Sequence, residues 1–391
     1  MKAKLVPIKN CVEKAKTWNP VAEAKDEIIT YIDIAAVDND LKKIVEPTLC
    51  LGSEAPSRAR QLVQKNDVLV STVRPNLNSV AVVSEKFSGA TASTGYTVLR
   101  SLPEILDTQY LFHWVKTDYF INEMVKLATG QSYPAVSDRI ILNSQIPLPS
   151  LEEQRRIASI LDKADELRQK RQQAMEKLDQ LLQATFIDMF GDPVSNPKNF
   201  PVHDLEFVAS KVTDGTHHTP KRETSGIPLL SARNVLMGKI DFLNIDFVGE
   251  EEYERLRKRC EPKRGDILIS CSGSIGRVSA VDTDRPFVMV RSAALLKLKK
   301  DIVTSKFMEY LLRTPYLQSQ MIRSSKSSSQ ANLFQEPIKR LKIFLPSIEL
   351  QENFEKFIAI STKEKEKLVQ SNDKLEALFK SLQNQAFSGT L

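Results

Sequence analysis

Two stretches of the chain repeat apolar residues in alternating steps of four and three, the spacing of a helix that packs along one seam. In the second stretch the seam runs through Phe354, Ile358, Ser361, Lys365, Leu368, Asn372, Leu375, Phe379 and Leu382. In the first it runs through Ile157, Leu161, Ala164, Arg168, Arg171, Met175, Leu178, Leu182 and Thr185. Both seams are apolar at their ends and weaker in the middle. Neither helix is therefore expected to be stable alone in water.

We predict two long helices, at residues 150–191 and 347–391, that pack on each other as an antiparallel pair. At a rise of 1.5 Å per residue each would be roughly 60 Å long. The side chains expected in this interface, or in contact with a partner protein, are Ile157, Leu161, Leu178, Leu182, Ile358, Leu368, Leu375 and Phe379. The alternative is two unrelated surface helices, each docked on a separate domain.

Both helices belong to a duplicated unit. The peptide Ile-Pro-Leu-Pro-Ser-Leu-Glu-Glu-Gln ends at Gln154, and the similar Ile-Phe-Leu-Pro-Ser-Ile-Glu-Leu-Gln ends at Gln351, 197 residues later. In each copy a proline and a serine form a helix start signal. Upstream, residues 66–71 match residues 265–270 after a slip of two more positions. The chain thus contains a globular part followed by a helical part, twice.

Each globular part mixes strand-like and helical patterns. Apolar β-like runs occur at 28–34, 68–70 and 80–83 in the first part and at 267–269 and 293–296 in the second. Amphipathic patterns predict one helix at 110–127 and a counterpart at 306–322. We predict a mixed α/β (α+β) fold. Its globular domains, at 1–149 and 192–346, would be related by a pseudo-twofold axis and joined by the two helices.

The charge distribution permits nucleic-acid binding without establishing it. The net charge is +6. Residues 200–345 carry 24 Lys and Arg against 17 Asp and Glu, whereas residues 1–145 carry 17 against 16. Such an excess also occurs on ordinary solvated surfaces. Apolar runs are too short for a membrane span or a signal peptide, so a cytoplasmic protein without membrane contact is expected.

Sequence signatures of catalysis are missing. There is no Gly-x-x-x-x-Gly-Lys-Ser/Thr phosphate loop, no Gly-x-Gly-x-x-Gly cofactor loop and no Asn/Asp-Pro-Pro-aromatic segment. The four cysteines are scattered, and His217 and His218 are followed by no third ligand at metal-site spacing. His113, within a predicted amphipathic helix, is expected to be a packing residue. The chain is therefore expected to be non-catalytic and to hold no metal or cofactor.

Several short segments resemble one known family. The first half contains Glu-Ala-Pro-Ser-Arg-Ala-Arg at 54–60 and Asn-Asp-Val-Leu-Val-Ser-Thr-Val-Arg-Pro at 66–75. The second contains Asp-Gly-Thr-His-His-Thr-Pro at 214–220, Gly-Ile-Pro-Leu-Leu-Ser-Ala-Arg-Asn at 226–234 and Arg-Gly-Asp-Ile-Leu at 264–268. With the repeated helix boundary, their order along the whole chain resembles the specificity subunit of type I restriction-modification systems. The second boundary departs slightly, with Phe344 and Leu350 in place of Pro147 and Glu153.

This resemblance implies a function. Each globular part would be a target recognition domain that reads one half of an asymmetric, bipartite site in double-stranded DNA. The helices would set the spacer between the half-sites and dock two methyltransferase subunits. Restriction subunits are possible further partners. S-adenosylmethionine, ATP and Mg²⁺ would be used by the partner subunits. A methyltransferase-only system and a coiled-coil adaptor that binds only protein are the alternatives.

Polar loops between the predicted strands supply the candidate DNA contacts. Backbone amides, hydroxyls, Gln, Asn and Arg are the groups that bind phosphates and base edges. The candidates are Arg58, Arg60, Arg74, Asn76, Gln131 and Tyr133 in the first domain, and Lys221, Arg233, Asn234, Ser272, Arg277, Lys326 and Gln330 in the second. Each could instead be ordinary solvated surface. Arg58 and Arg60 could also be structural, pairing with Asp67 or with the loop around Glu54.

Overall fold

The computed structural model describes residues 3–325 and 332–391. The chain divides into two compact units. One comprises the residues up to Ala174 together with Leu368–Leu391, and the other comprises Met175–Lys367. Each unit therefore contains one globular part, a portion of the first long helix and a portion of the second.

The first unit is built from short strands and a few helices. Its strands are β1 (Lys4–Pro7), β2 (Val12–Lys14), β3 (Lys16–Thr17), β4 (Ile28–Ile32), β5 (Val37–Asp38), β6 (Lys43–Ile44), β7 (Thr48–Leu51), β8 (Ala59–Leu62), β9 (Val68–Ser71), β10 (Val80–Val82), β11 (Thr91–Ser93), β12 (Tyr96–Ser101) and β13 (Gln145–Leu148). Its helices are α1 (Pro20–Glu23), α2 (Thr108–Val115), α3 (Asp118–Leu127), α4 (Asp138–Asn143) and the start of α5 (Leu151–Phe190).

The second unit repeats this plan. Its strands are β14 (Val202–Asp204), β15 (Ala209–Asp214), β16 (Arg222–Glu223), β17 (Ile227–Leu230), β18 (Val235–Leu236), β19 (Lys239–Ile240), β20 (Asp246–Val248), β21 (Ile267–Ser270), β22 (Val278–Ala280), β23 (Val288–Met289), β24 (Ala293–Leu298) and β25 (Lys342–Phe344). Its helices are α6 (Glu250–Arg257), α7 (Ser305–Arg313), α8 (Pro315–Ser325), α9 (Gln335–Lys339) and the start of α10 (Ile348–Ser388).

The sheets of the two units have matching topology. One sheet has the order β10-β9-β12-β2 in the first unit and β22-β21-β24-β15 in the second. The register also matches, since Leu69 lies opposite Val98 and Leu268 lies opposite Leu295. A second sheet has the order β3-β8-β11-β4-β7 in the first unit and β16-β20-β17-β23 in the second. The duplication seen in the sequence is therefore a duplication of fold, and the predicted strand runs are confirmed.

One prediction about the helices is wrong. Residues 110–127 and 306–322 were each expected to form one helix, but each region forms two. In the first unit Thr117 ends α2 by donating to the Trp114 carbonyl at 2.7 Å, and its hydroxyl accepts the Phe120 N–H at the start of α3. Thr314 makes the equivalent bonds to Leu311 and Leu317. The helical period continues across the break, so periodicity alone did not reveal the N-cap threonine.

The ends of the long helices are buried in the globular parts. In the first unit Ile157 and Leu161 of α5 and Phe379 of α10 join the core that contains Tyr110, Trp114 and residues of strands β9, β10 and β12. In the second unit Leu182, Phe186 and Phe190 of α5 join Phe354 and Ile358 of α10 in a core with Phe307 and Phe344. The middle seam residues Leu178, Leu368 and Leu375 are half-buried.

Within each unit the two helix portions run antiparallel. In the first unit Arg168 pairs with Glu376 at 2.6 Å, and the Arg156 guanidinium donates to the Leu391 carbonyl at 3.0 Å. In the second unit Lys365 pairs with Asp179 at 2.6 Å. In each unit, residues later in α5 meet residues earlier in α10, as antiparallel packing requires. The alternative of two helices that do not pack together is therefore wrong.

A buried glutamine fixes the start of each long helix. Gln154 and Gln351 are fully buried. The Gln154 side chain accepts the Asp107 N–H at 2.9 Å and donates to the carbonyls of Ile105 and Pro149. Gln351 makes the same three bonds, with Thr304, Ile302 and Pro346. This explains why both copies of the boundary peptide end in glutamine: it satisfies three backbone groups in a dry site.

Replacing Gln154 by Leu leaves these backbone groups without partners. We expect this variant to lower the free energy of unfolding by about 2 to 4 kcal/mol, since buried unpaired polar groups cost about 1 to 3 kcal/mol each. Urea denaturation followed by circular dichroism measures the change. Gln173→Leu, at an exposed position of the same helix, is the control and should have little effect. Equal midpoints for the two variants would show that the glutamine does not anchor the helix.

Candidate nucleic-acid interface

Two loops of the first unit are tied together at the end of β9. The Arg74 N–H donates to the Pro134 carbonyl at 2.7 Å, and the Val136 N–H donates to the Thr72 carbonyl at 2.8 Å. A β-bridge joins Val73 to Ala135. Arg74 adopts a left-handed backbone conformation, with φ of 49°, which non-glycine residues adopt rarely. The loop after β9 and the loop after α3 thus form one surface, which we call the first loop pair (residues 72–78 and 129–136).

Four predicted residues lie on the first loop pair. The Arg74 guanidinium lies 4.7 Å from the centre of the Tyr133 ring, and Tyr133 is 68% exposed. Asn76 and Gln131 are exposed on the same two loops. Stacking on the ring restricts the guanidinium while leaving its N–H edges available. The result is a small exposed set of hydrogen-bonding groups with one oriented cation.

Arg58 and Arg60 lie elsewhere, at the start of β8. Arg58 is exposed, and the Arg60 guanidinium donates to the Ala59 carbonyl at 2.8 Å. The suggested pairing of these arginines with Asp67 is wrong, because Arg100 binds both oxygens of that carboxylate, at 2.8 and 2.7 Å. The second unit has the counterpart of this ion pair in Asp266 and Lys297, at 2.7 Å. It is a structural pair of the repeated fold.

The second unit has an equivalent pair of loops. A β-bridge joins Ser272 to Asn332. In the repeat, Ser272 is the equivalent of Val73 and Asn332 is the equivalent of Ala135. The Ser270 hydroxyl accepts the Arg277 N–H at 2.9 Å and closes the turn between them. Ser272 and Arg277 are half-buried at this turn. The predicted contacts Lys326 and Gln330 lie outside the described residues. We call residues 271–277 and 332–335 the second loop pair.

A carboxylate beside the second loop pair forms hydrogen bonds with three side chains. Asp214, at the end of β15, accepts from Arg259 at 2.6 Å and from Gln335 at 2.8 Å through Oδ1. Its Oδ2 lies 2.8 Å from His217 Nε2. The Asp214 side chain is 17% exposed, whereas His217 and Arg259 are about half exposed. Asp214 therefore orients groups that face solvent; we call these four residues the Asp214 cluster.

The local backbone explains why a glycine follows Asp214. A Cβ at Gly215 would lie 2.2 Å from the Met289 carbonyl oxygen, closer than any side chain allows. The chain passes so near β23 here that Thr216 and Val290 form a bridge. A cavity of about 450 Å³ opens beside this turn, lined by the Asp214 cluster members Asp214, His217 and Gln335 together with Ser272, Arg291 and Phe334. Phe334 is 59% exposed.

The electrostatics of the cluster favour a charged carboxylate. Burial alone would raise the pKa of Asp214, but the hydrogen bonds from Arg259 and His217 outweigh it and hold that pKa below its ordinary value. The carboxylate is therefore ionised under ordinary conditions. In this ionised form it accepts hydrogen bonds from Arg259 and Gln335 and holds both side chains in place.

Asn234, one of the predicted DNA contacts, is buried inside the domain. It is 2% exposed. Its side-chain oxygen accepts the Ser231 N–H at 3.0 Å, and its NH₂ donates to the Asp241 carbonyl at 3.1 Å. The amide is used inside the domain to cap a turn, so the predicted base contact at Asn234 is wrong.

The remaining candidates of the second domain are exposed but dispersed. Arg233 lies 3.3 Å from Asp246, which Arg222 also approaches. The Lys221 backbone N–H donates to Glu252 at 3.3 Å. Sequence reasoning missed Arg259 and Gln335 and considered His217 only as a metal ligand. The segment at 214–220 could have indicated the position of this cluster from the sequence. The approach of Arg259 and Gln335 could not be predicted, because it depends on the fold.

A family model described as the type I restriction modification DNA specificity domain matches residues 16–177 and 229–377. The chain belongs to this family. The MjaVIII specificity subunit of Methanocaldococcus jannaschii is 25% identical over 339 residues, covering 80% of this chain and 78% of that protein. The EcoBI specificity subunit of Escherichia coli is 24% identical over 242 residues, covering 55% of this chain and 51% of that protein.

Solved structures of the type I restriction modification family share the fold. A chain from a study of complex assembly and conformational transition of the type I R-M system has a TM-score of 0.64 and 24% identity, and covers 100% of this chain and 98% of its own. The S subunit from M. genitalium has a TM-score of 0.58 and 15% identity, and covers 99% and 96%. The predicted fold of two repeated α/β domains with long helices is confirmed.

The described residues lack two further kinds of feature. Among residues 3–325 and 332–391, no helix combines the length and the apolar character needed to cross a membrane. In the same residues, no group of three or more His, Cys, Asp and Glu side chains is arranged to hold a metal ion.

Titration of Asp214 tests the hydrogen bonds of the Asp214 cluster. The pKa of Asp214 should be lower than its ordinary value, and Arg259→Ala should raise it because the strongest hydrogen-bond donor is lost. Carboxyl ¹³C NMR of the full chain measures both. Because the pKa of Asp214 is depressed in the folded chain, its ionised form stabilises the fold. This stabilisation is present above the ordinary carboxyl pKa and is lost as the pH falls through the folded value. Arg264→Ala, which removes the partner of Asp284, should leave Asp214 unchanged. An unshifted Asp214 in the Arg259 variant would contradict the assigned ion pair.

Proposed function

We propose that this chain is the non-catalytic, sequence-specific DNA-binding subunit of a type I restriction-modification complex. Each globular domain reads one half of an asymmetric, bipartite target. The observation that carries the proposal is the presence of two equivalent loop pairs, at the same place in a duplicated fold, with different polar groups on and beside them. A common scaffold with different contact residues is what two different half-sites require.

The first loop pair suits a base edge in the major groove. A guanidinium edge can donate two hydrogen bonds to guanine O6 and N7, and Asn or Gln can bind adenine in the same bidentate manner. Arg74, Asn76 and Gln131 provide these groups, and Tyr133 limits the freedom of Arg74. The second domain offers Arg259, His217 and Gln335 around Asp214 instead. Because the two sets differ, the target halves differ.

The long helices set the distance between the half-sites in this proposal. The two globular domains would be related by a pseudo-twofold axis, so that both face the same side of a duplex about one helical turn apart. The antiparallel pairing of α5 and α10 portions within each unit supports this arrangement. Two methyltransferase subunits would dock against the exposed sides of the helices and domains.

Catalysis belongs to partner subunits in this proposal. Methyltransferase subunits would bind S-adenosylmethionine, and restriction subunits, where present, would use ATP and Mg²⁺. This chain would contribute recognition alone and bind no cofactor. Such a complex acts on DNA in the cytoplasm.

A selection experiment tests DNA reading. The chain, assembled with its methyltransferase subunits, is expected to enrich a bipartite motif with an unread spacer from a random DNA pool. Arg74→Ala should relax the base preference at one position of one half-site, costing about 1 to 3 kcal/mol there, and leave the other half unchanged. Arg139→Ala, an exposed arginine of the same domain outside the loop pair, is the control. Enrichment of no motif by the wild-type assembly would favour an adaptor that binds only protein.

An insertion tests the spacing role of the helices. Seven residues added to both helices, after Ala174 and after Lys367, keep the heptad register and lengthen each helix by about 10 Å. The preferred spacer should grow by about three base pairs, since the rise per pair is 3.4 Å. Both half-sites should stay the same. An insertion in α5 alone should disrupt the pairing, and an unchanged spacer in the double insertion would refute the spacing role.

A further inference from the structure

The two units differ at one edge of a matching sheet. In the second unit β20 lies between β17 and β16, with Arg222 opposite Val248 and Glu223 opposite Phe247. In the first unit β7 is the equivalent of β20 and pairs with β4, the equivalent of β17. Within the described residues, no strand pairs with the other side of β7. The first unit thus leaves open an edge that the second unit covers with its own chain.

The segment that could cover this edge is folded differently in the first unit. The residues just before β17 form β16, whereas those before β4 form the helical turn α1. Pro20 occupies the first turn of α1, and the Asn19 N–H donates to the Glu23 carboxylate at 2.8 Å. Proline at this position favours helix over strand. A Cβ at Gly52 would lie 2.0 Å from the Ala24 carbonyl oxygen, so α1 is packed closely beyond the end of β7.

The open edge presents hydrogen-bonding groups in a known direction. The Gly52 N–H donates to the Glu27 carbonyl at 2.8 Å, which continues the β4–β7 ladder. In an antiparallel ladder every second residue directs its N–H and C=O to the same neighbour. Cys50 therefore faces β4 in the same way as Gly52. Leu49 and Leu51 direct their backbone groups away from β4, towards the open edge.

The side chains at this edge are apolar and exposed. Ile28 is 73% exposed, Leu49 is 69% exposed and Leu51 is 39% exposed. Ile28 lies opposite Leu51, and Thr30 lies opposite Leu49, so these residues share one face of the sheet. In the second unit the pair equivalent to Thr30 and Leu49 is Pro228 and Phe247. Pro228 is buried and Phe247 is half-buried. An unpaired edge with exposed leucines is a template for strand addition.

The charge around this edge indicates what kind of partner fits. Residues 23–30 and 46–54 contain one basic residue, Lys25, and five acidic residues: Glu23, Asp26, Glu27, Glu46 and Glu54. The five carboxylates are on exposed residues. A DNA backbone would be repelled here, whereas a polypeptide with basic residues would be attracted.

We propose that the β7 edge of the first domain binds an extended protein segment, which adds as a strand through the outward backbone groups of Leu49 and Leu51. The segment carries apolar side chains that cover Ile28, Leu49 and Leu51, and basic residues that face the surrounding carboxylates. It belongs to a methyltransferase subunit, an assignment that rests on the function proposed above. The second domain, whose own β16 covers the equivalent edge, has no such site.

Hydrogen exchange of the full chain tests this proposal. Backbone amides in residues 46–53 are expected to exchange at least about tenfold more slowly in the assembly with methyltransferase subunits than in the free chain, because edge amides become hydrogen-bonded. Double-stranded DNA alone should not slow them. Leu49→Pro removes the outward N–H while keeping a conformation that edge strands accept. It should abolish the protection and weaken assembly about fivefold.

Matched variants separate strand addition from loss of folding. Leu49→Lys should weaken assembly through repulsion of the basic segment, whereas Leu243→Lys, at a leucine with 70% exposure in the second domain, should not. The far-ultraviolet circular dichroism and thermal midpoint of each variant should match the wild type, which shows that it folds.

The remaining outcomes distinguish the two proposals. An assembly that forms and methylates DNA while residues 46–53 exchange as in the free chain would overturn the strand-addition site and leave the proposed function standing. Protection by DNA alone, or protection that grows with the concentration of the chain itself, would also overturn it, in favour of DNA or a second copy. Failure to assemble with methyltransferase subunits at all would remove the proposed function and this inference together.

Discussion

The structure depends on burial of the ends of two long helices in globular cores. The seams of α5 and α10 are too polar in the middle to hold a helix pair together in water. Stability comes instead from side chains such as Leu161, Phe190 and Phe354, which are fully buried among strands and short helices. Each such side chain contributes about 1.5 to 3 kcal/mol when it leaves water. The glutamines Gln154 and Gln351 then fix the point at which each helix leaves its domain.

The two units achieve this burial with partly different chemistry. In the first unit, ion pairs surround the contact: Lys116 pairs with Asp165 at 2.9 Å, and Arg168 reaches both Asp165 and Glu376. In the second unit, aromatic rings fill the contact, with Phe186 and Phe190 packed against Phe354. The repeat preserves the positions at which helix and domain meet. It preserves one aromatic contact, since Phe387 packs against Tyr110 as Phe190 packs against Phe307. Elsewhere the residues differ, because any well-packed set satisfies the same geometry.

Differences between the copies are also concentrated in the polar loops and at one sheet edge. The first loop pair presents Arg74 stacked on Tyr133, whereas the Asp214 cluster lies beside the second loop pair. One unit covers its sheet edge with β16, whereas no strand among the described residues covers β7 in the other. A duplicated scaffold can carry such differences because loops and edges contribute little to the core and change without loss of folding.

Much of the architecture follows from the sequence alone, because periodicity and repetition are local properties of a chain. Heptad spacing identified both long helices, apolar runs identified strands such as β9 and β21, and the recurring boundary peptide identified the duplication. The division at Thr117 was missed, since a capping hydroxyl interrupts a helix without interrupting its period.

Side-chain partners could be decided only by the tertiary structure. Asn234 looked like a base-reading amide until the fold buried it in a turn, and Asp214 gained Arg259 and Gln335 from 45 and 121 residues away. The open edge of β7 likewise exists only after the sheet has formed. A sequence records which groups are available, whereas partner, burial and direction depend on which distant segments the packed core brings together.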